Sequence, residues 1–471
     1  MGVLFYPRGG SAQVVRYLSA ALDQEGWDVS LLCGSLGRPG ERTHAETFYA
    51  GMDLHTVDYN PAFEAYESGR DPLAEPVPFH PSFENQPNTP DRVFAAVSPE
   101  LGDHITSFWE GVMADAWRDD PAILHLHHLT PLHEAASRLW PHRPLVTHLH
   151  GTDLGMLGRI EHLTNEQKEM PEWRFADHWA ERLRAAAHRS DELIVISPHQ
   201  RDEAHRLLGI DLDRIEWIPN GVDIERFRRS DVTAEQRTAS WRRWLVEDPH
   251  GWDESGDVGT IRYREEDLDR FLDAKTGEPL PVLLFVGRFL AMKRVPLLVR
   301  AYARARPRLA VPAPLVICGG VPGEVEGEHP YAVARDEGAE SVFFVGWRGH
   351  DELPEGLACS DVFVAPSLNE PFGQVYLEAM ACGLPVIATR SGGPLSFVNT
   401  EPGRPNGWFA EPDDIDSLAD AIVAAVNHAD ARRERAANAY EQIRAAYSWD
   451  HLAERFVSVY ERAIEDAARR G

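Results

Sequence analysis

Short apolar runs alternate with amphipathic stretches along almost the whole chain, and that rhythm leaves few architectures open. In the first half the runs are VLFY (3–6), VSLLC (29–33), ILHLH (123–127), LVTHLH (145–150), ELIVIS (192–197) and IEWIP (215–219). In the second half they are VLLFVG (282–287), LVICG (315–319), VFFVG (342–346), VFVAP (362–366) and PVIAT (385–389). Between them lie helical patterns such as AQVVRYLSAALDQEG (12–26) and VPLLVRAYARARP (295–307). Strands separated by helices predict an α/β fold with parallel sheets. Two such series predict two doubly wound, Rossmann-like domains, with ligands at the carboxyl ends of the strands in the cleft between them. A length of 471 residues exceeds one ordinary core and suits two domains of about 200 residues each.

Two stretches break the rhythm. Residues 56–100 are rich in Pro, Asn and Ser, as in EPVPFHPSFENQPNTPDR, and show little periodicity. Residues 226–280 mix charges and carry Trp241, Trp244 and Trp252. Both read as irregular insertions, and loops of that length inside a domain are usually functional or disordered. The second follows a linker near 220–225 and precedes the first strand of the second domain.

Composition excludes several function classes. A net charge of −28 argues against a general nucleic-acid or anionic-membrane surface, while a local basic pocket for a small anion stays open. No apolar run approaches the ~20 residues needed to span a bilayer, and MGVLFYPRGG has too short an apolar part for a signal peptide. Cys33, Cys318, Cys359 and Cys382 lack metal-like spacing. They read as reduced thiols, and the protein as cytoplasmic.

The sharpest chemistry lies in SLNEPFGQVYLEAMACGLPVIATRSGGP (367–394). A strand ends at Ser367, and a helix opens near Gly373 and stops at Gly383 with Pro385 beyond. The amides of Phe372, Gly373, Gln374 and Val375 sit at that opening, where a helix N-terminus makes an anion site. Glu370 and Glu378 flank it. Carboxylates beside a phosphate site would repel the phosphate, so they suit the hydroxyls of a ribose or hexose better. The plainer reading is a helix with acids placed to favour its dipole.

A second loop leaves a strand end at GRFLAMK (287–293). Only Lys168, Lys275 and Lys293 are lysines among 47 basic residues, so a lysine here stands out. Arg288 offers a planar fork and Lys293 a compact point charge. With the helix amides they would neutralise a diphosphate without a metal.

Together these segments resemble the retaining glycosyltransferases of family 4, which have the GT-B fold. The family carries GR(x)4K after the first strand of its second domain, here Gly287-Arg288 to Lys293, and a Glu-(x)7-Glu motif, here Glu370 and Glu378. PRGGSAQ (7–13) is similar to its first glycine loop, HLHGTDL (148–154) to its acceptor-side histidine loop, IPNGVDIERF (218–227) to its linker entry, and FVGWRGHDELPEGLACSDVFVAPS (344–367) to its base-binding region. The likeness covers most of the chain except 56–100 and 226–280, and points to a bacterial small-molecule or natural-product type.

The resemblance implies a nucleotide-diphosphate sugar as donor. Arg288 and Lys293 would hold its phosphates. Gly9 and Gly10 would let backbone approach the distal phosphate. Main chain at Trp347 and Arg348 would contact the base. Glu378 would bind the ribose, and Glu370 the transferred sugar with the amides of Phe372 and Gly373 nearby. His150 would lie near the sugar and the reacting centre. It also implies a division into an acceptor-binding domain (1–222), a donor-binding domain (223–450) and a closing helix (451–471) that crosses back to the first domain. One departure is Ser396, where many members have an acid three residues after the double glycine; the phosphate loop lacks that support.

Other signals carry less. His125, His127, His128 and His133 with His148 and His150 invite a metal reading, and alternation puts His125 and His127 on one strand face and His148 and His150 on another. No Cys or acid completes a ligand set at familiar spacing, so no metal is expected; His127 and His128 would satisfy loop backbone. Asp-x-Asp at 211–213, 267–269 and 414–416 flanks helix starts, where aspartate caps. SWDHLAERFVSVYERAIEDAARRG (448–471) is an amphipathic helix whose apolar stripe suits core packing.

The expected activity is therefore retaining, metal-independent transfer of a sugar to a small polar acceptor, such as a thiol precursor, an aminocyclitol or another natural product. No nucleic acid, stable membrane association or cofactor is expected, and a homodimer is left open. Alternatives are a cell-surface polysaccharide glycosyltransferase, a non-catalytic nucleotide-sugar-binding protein and a nucleotide-sugar epimerase. Residues 56–100 are expected to shape the acceptor pocket.

Overall fold

Apolar runs without polar alternation can only be strands covered on both faces, and the computed structural model has them so. It describes residues 1–84, 89–118 and 121–470. The chain divides into two units, one of residues 1–220 with 449–471, the other of residues 221–448.

The first unit holds β1 (Gly2–Val3), β2 (Ser30–Ser35), β3 (Asp53–Asp58), β4 (Leu124–His127), β5 (Leu145–His148), β6 (Glu192–Val195) and β7 (Ile215–Trp217). They pair in parallel in the order β3-β2-β1-β4-β5-β6-β7. The second unit holds β8 (Leu283–Val286), β9 (Leu315–Cys318), β10 (Val342–Gly346), β11 (Val362–Ala365), β12 (Val386–Thr389) and β13 (Gly407–Ala410), in the parallel order β10-β9-β8-β11-β12-β13. Each sheet reverses its winding at its first strand. The switch points therefore fall between β1 and β4, and between β8 and β11, where doubly wound sheets hold ligands. The loops after β8 and β11 carry GRFLAMK and SLNEPFG.

Both expected insertions are corrected. Stretch 56–100 contains the end of β3, the helix Asn60–Glu67 and two short 3-10 turns, Pro72–Ala74 and Phe94–Ala96; residues 85–88 lie outside the described residues. The sequence DLHTVD hides β3 because it is an edge strand with only Val57 buried. Stretch 226–280 is an ordered cover on the second sheet. Helix Ala234–Arg242 runs into a π-helical turn, Arg243–Glu247, and a 3-10 stretch follows at Glu265–Phe271. Trp241 and Trp244 are fully buried, and a Cβ at Gly356 would lie 2.5 Å from the Trp244 ring. Strand β13 (GWFA) also went unread, being a short edge strand. Of the Asp-x-Asp pairs, Asp414 caps helix Ile415–Asn427 by accepting from the Ser417 amide, and Asp267 accepts from the Arg264 amide. Asp211 precedes a 3-10 turn without a side-chain cap.

The last helix, Trp449–Arg470, belongs to the first unit. Its Leu452, Phe456 and Tyr460 pack with Val14, Leu18 and Leu22 of the first helix, Gly9–Gln24. Phe456 is fully buried against the rings of His125 and His148. Phe456→Ala is expected to destabilise this unit by about 3–5 kcal/mol, read from the midpoint of its urea unfolding transition. All four cysteines are free and buried, and burial pushes the Cys318 and Cys382 thiols up to about 12. No helix among the described residues is long and apolar enough to cross a membrane.

Candidate functional site

In the second unit, Gly287 and Arg288 follow β8, and a 3-10 turn, Ala291–Lys293, brings the lysine round. The Leu368 amide donates to the Met292 carbonyl at 2.7 Å, which ties this turn to the loop after β11. Across that junction Lys293 Nζ meets Glu370 Oε2 at 2.5 Å, with both side chains largely buried. Arg288 Nε donates to Glu324 Oε2 at 2.9 Å, and its guanidinium stays half-exposed. Each expected phosphate cation thus rests on a carboxylate, and Glu370 stands beside the ammonium.

Helix Gln374–Ala381 opens at Gly373, whose φ of +99° favours glycine. No side chain caps it and no acid lies in its first turn. The double glycine after β12 explains how the loop is held. A Cβ on Gly392 would sit 2.6 Å from the Glu370 carbonyl oxygen, and one on Gly393 would sit 2.4 Å from Phe372 Cα. The Gly393 amide donates to the Glu370 carbonyl at 2.7 Å, and the Asn369 amide to Ser391 Oγ at 3.2 Å. Ser396 Oγ closes this turn by donating to the Gly393 carbonyl at 2.6 Å. The loop expected to lack support at Ser396 is therefore held by backbone contact and by that serine itself. Gly393→Ala is expected to displace residues 370–373 and lower turnover by about 100-fold, since an ångström of misplacement costs that much. Steady-state kinetics on protein with unchanged circular dichroism would check it.

Glu378 projects from the first turns of this helix into a buried position. Burial pushes its carboxyl up to about 8, and Arg226 offsets part of the rise. The nearest imidazole nitrogen, His350 Nδ1, is 4.0 Å from Oε1, beyond hydrogen-bond reach. Gln374 turns back, its Nε2 donating to the Gly221 carbonyl at 2.5 Å while its buried Oε1 has no partner. The Trp347 ring is exposed. The Arg348 side chain is wholly buried, reaching Asp248 Oδ2 at 2.7 Å and the Trp244 carbonyl at 3.1 Å. It fastens the 226–280 cover to the sheet, a role the sequence did not reveal.

In the first unit, helix Gly9–Gln24 opens on two exposed glycines with no side-chain cap and no acid in its first turn. A Cβ on Gly9 or Gly10 would meet nothing within 4 Å. The preceding residue is fixed instead: Arg8 Nη2 donates to the buried Asp91 Oδ2 at 2.7 Å. Beyond β5, His150 precedes a left-handed Gly151 that opens helix Thr152–Glu161. Its ring is buried, with Nε2 3.0 Å from His127 Nδ1. Burial, then His128 and His125, lowers the basicity of His150 well below the ordinary range.

Asp153 organises this loop, and sequence reasoning missed it. Its carboxylate accepts from the Leu129 amide at 2.8 Å and from the His150 amide at 3.4 Å, and Oδ2 lies 3.3 Å from His128 Nδ1. Burial would raise its carboxyl, but His128 and the amides prevail and hold it below the ordinary range. His127 and His128 thus address a ring and a carboxylate rather than loop backbone. The available signal was the acid three residues beyond His150. Gly9, Gly10 and His150 lie in the first unit; Gly287, Arg288, Lys293, Trp347, Arg348, Glu370, Phe372, Gly373, Gln374, Val375 and Glu378 lie in the second.

Two family models match, the one described as Glycosyltransferase Family 4 over residues 8–226 and the one described as Glycosyl transferases group 1 over residues 269–442. A D-inositol 3-phosphate glycosyltransferase of Stackebrandtia nassauensis is 29% identical over 78% of this chain and 75% of its own. An alpha-maltose-1-phosphate synthase of Mycolicibacterium smegmatis is 30% identical over 60% of this chain and 66% of its own. Among solved structures, sucrose-phosphate synthase from Thermosynechococcus elongatus superposes with a TM-score of 0.66 at 20% identity, covering 99% of this chain and 96% of that one. Anabaena HepE in complex with UDP-glucose gives 0.60 at 18% identity, covering all of both chains.

Proposed function

The chain belongs to the family 4 glycosyltransferases of GT-B fold, which use nucleotide sugars, and from that membership we propose that it transfers a sugar with retention to a small polar acceptor. The observation that carries the reading is the meeting of Lys293 and Glu370, 77 residues apart in sequence, at the ends of adjacent strands. One residue suits a phosphate and the other a sugar hydroxyl. Such a pairing fits the joint between a sugar and its diphosphate.

In this reading the donor's phosphates take the Lys293 ammonium, the Arg288 guanidinium and the amides at Phe372 and Gly373. Glu370 and Glu324, which hold the two cations without ligand, turn to other donors. Glu370 then accepts from the sugar's hydroxyls and Glu378 from the ribose. The bond from the anomeric carbon to the diphosphate oxygen breaks with positive charge on the sugar and negative charge on the leaving group. The cations and amides stabilise that growing negative charge, the largest kind of catalytic contribution in such sites. The acceptor oxygen attacks from the leaving-group face, and its proton passes to the departing diphosphate oxygen. Two cations and the amides meet the diphosphate's charge, so this step uses no metal ion.

The acceptor is assigned to the first unit, around the loop of His150 and the ion pair of Arg8 with Asp91. The relatives named for inositol 3-phosphate and maltose 1-phosphate chemistry support a small, hydroxyl-rich acceptor. Buried, free thiols and the absence of a membrane-length apolar helix among the described residues support work in the cytoplasm.

Nucleotide release from UDP-, GDP- and ADP-sugars, followed with and without sugar phosphates, cyclitols and thiol precursors, tests the reading. Release that requires an acceptor, with a product of unchanged anomeric configuration by NMR, supports it. Binding without turnover under every pairing, or interconversion of the donor sugar, overturns it.

A further inference from the structure

Three histidines in the first unit form a group that donor chemistry does not use. Strands β4 and β5 are neighbours, and His127 stands in register opposite His148. His125 lies two residues back on the same face of β4. One ring nitrogen from each lies within 4.8 Å of the others, and all three side chains are buried. Their rings pack at centroid distances of 4.5, 5.3 and 5.7 Å.

What the remaining nitrogens do is more telling. His125 Nδ1 lies 2.6 Å from the Tyr460 hydroxyl, and His127 Nδ1 lies 3.0 Å from His150 Nε2. The Nε2 atoms of His125 and His127 and both ring nitrogens of His148 are buried without a hydrogen-bond partner. Four orphaned polar atoms on three packed rings, two of them against Phe456, are far from the usual pattern in which buried polar groups are paired. His125 and His127 each have one nitrogen held by an outer partner and the other left over, as metal-binding histidines do, while both nitrogens of His148 are left over.

We propose that His125, His127 and His148 bind one borderline divalent cation, with Zn2+ the first choice. Three imidazoles without thiolate or carboxylate suit zinc and its transition-metal neighbours and disfavour Mg2+ and Ca2+. A water or hydroxide completes the fourth position. The Asp153 carboxylate stands further along the histidine row, beyond His128, whose ring lies 4.6 Å from that of His150. The three rings are stacked rather than aimed at one point, so the ion must turn them to bring their nitrogens to roughly 3.3 Å of each other at ordinary Zn–N lengths. Through Tyr460 the bound ion would also tie the last helix to the sheet. The site is independent of the diphosphate chemistry, and its failure would leave that reading untouched.

Full-length protein, stripped with chelator, is titrated with Zn2+ and with Co2+ under equilibrium dialysis, with metal measured by mass spectrometry. The expected result is one equivalent bound, four-coordinate Co2+ bands in the visible spectrum, and a higher melting temperature for the loaded protein. His148→Leu should weaken binding by about 100-fold or more, and Tyr460→Phe, which keeps the helix packing, by about 10- to 100-fold. If His148→Leu does not fold, Tyr460→Phe and the X-ray absorption of the zinc-loaded wild type decide, with a nitrogen-rich shell expected. A protein that binds no stoichiometric metal, a hydrated cluster only, overturns the proposal. So does binding undiminished in Tyr460→Phe, or a shell of oxygen ligands alone.

Discussion

Replacing Lys293 and Arg288 together by alanine is expected to lower donor turnover by at least about 1,000-fold in a folded protein. A single preorganised group that stabilises developing oxyanion charge is worth about 100- to 1,000-fold, and here two cations are removed. The loss should fall more on kcat than on KM, because the diphosphate carries more charge as it leaves than when bound. Lys293→Ala alone should do most of the damage, since Lys293 is largely buried at the strand junction while Arg288 is half-exposed. Lys293→Ala also strands the Glu370 carboxylate, so Lys293→Ala/Glu370→Gln should regain stability without regaining turnover. Lys293→Arg should rescue little, because a planar fork cannot replace a compact ammonium in that gap. Turnover within tenfold of wild type in the double alanine variant would overturn the assignment of these residues.

The second large effect concerns Glu378. An ordinary glutamate ionises near 4.5, whereas burial holds this carboxyl protonated up to about pH 8. Between those values the folded protein keeps a proton that the unfolded chain has released. The unfolded state then binds fewer protons, so stability falls as pH rises through this window. The full cost, reached above pH 8, is about 5 kcal/mol. Glu378→Gln removes the ionisable group and keeps the shape. It is therefore expected to be about as stable as wild type at pH 4.5 and several kcal/mol more stable at pH 8.5, by urea unfolding at both pH values. The same variant should bind nucleotide about 100-fold more weakly, because charge-assisted hydrogen bonds to two ribose hydroxyls are lost. Wild-type affinity should climb as pH approaches 8, while that of the variant stays flat, by calorimetry. A variant less stable than wild type at pH 8.5 would contradict the burial argument.

Most of the architecture was legible because its strands are apolar on both faces. A run such as VFFVG has no alternative role in a water-soluble sheet, and β10 follows it residue for residue. The strand β3 escaped because an edge strand needs only one inward apolar residue, and Val57 is the one it has. Lys293 stood out because the chain carries only three lysines, and Glu370 and Glu378 because they flank the opening of a helix that follows a strand end. Asp153, Arg348 and the support of the 370–373 loop did not stand out. Each depends on a partner far away in sequence: Leu129 for Asp153, Asp248 for Arg348, Gly393 for the loop. Nothing in the local pattern around Trp244 distinguishes a disordered insertion from a cover; the difference is the glycine at 356 that lets the indole in.

The helix Trp449–Arg470 shares one apolar core with the helix Gly9–Gln24, although the whole second unit is written between them. That separation sets an order on the ribosome. The first sheet is translated early but keeps an uncovered apolar face until the final helix arrives, some 230 residues later. At ~5–20 residues per second the delay is roughly 10–50 s. Nascent chains halted before Trp449 would therefore engage chaperones through that face, and release of the last helix would end the engagement.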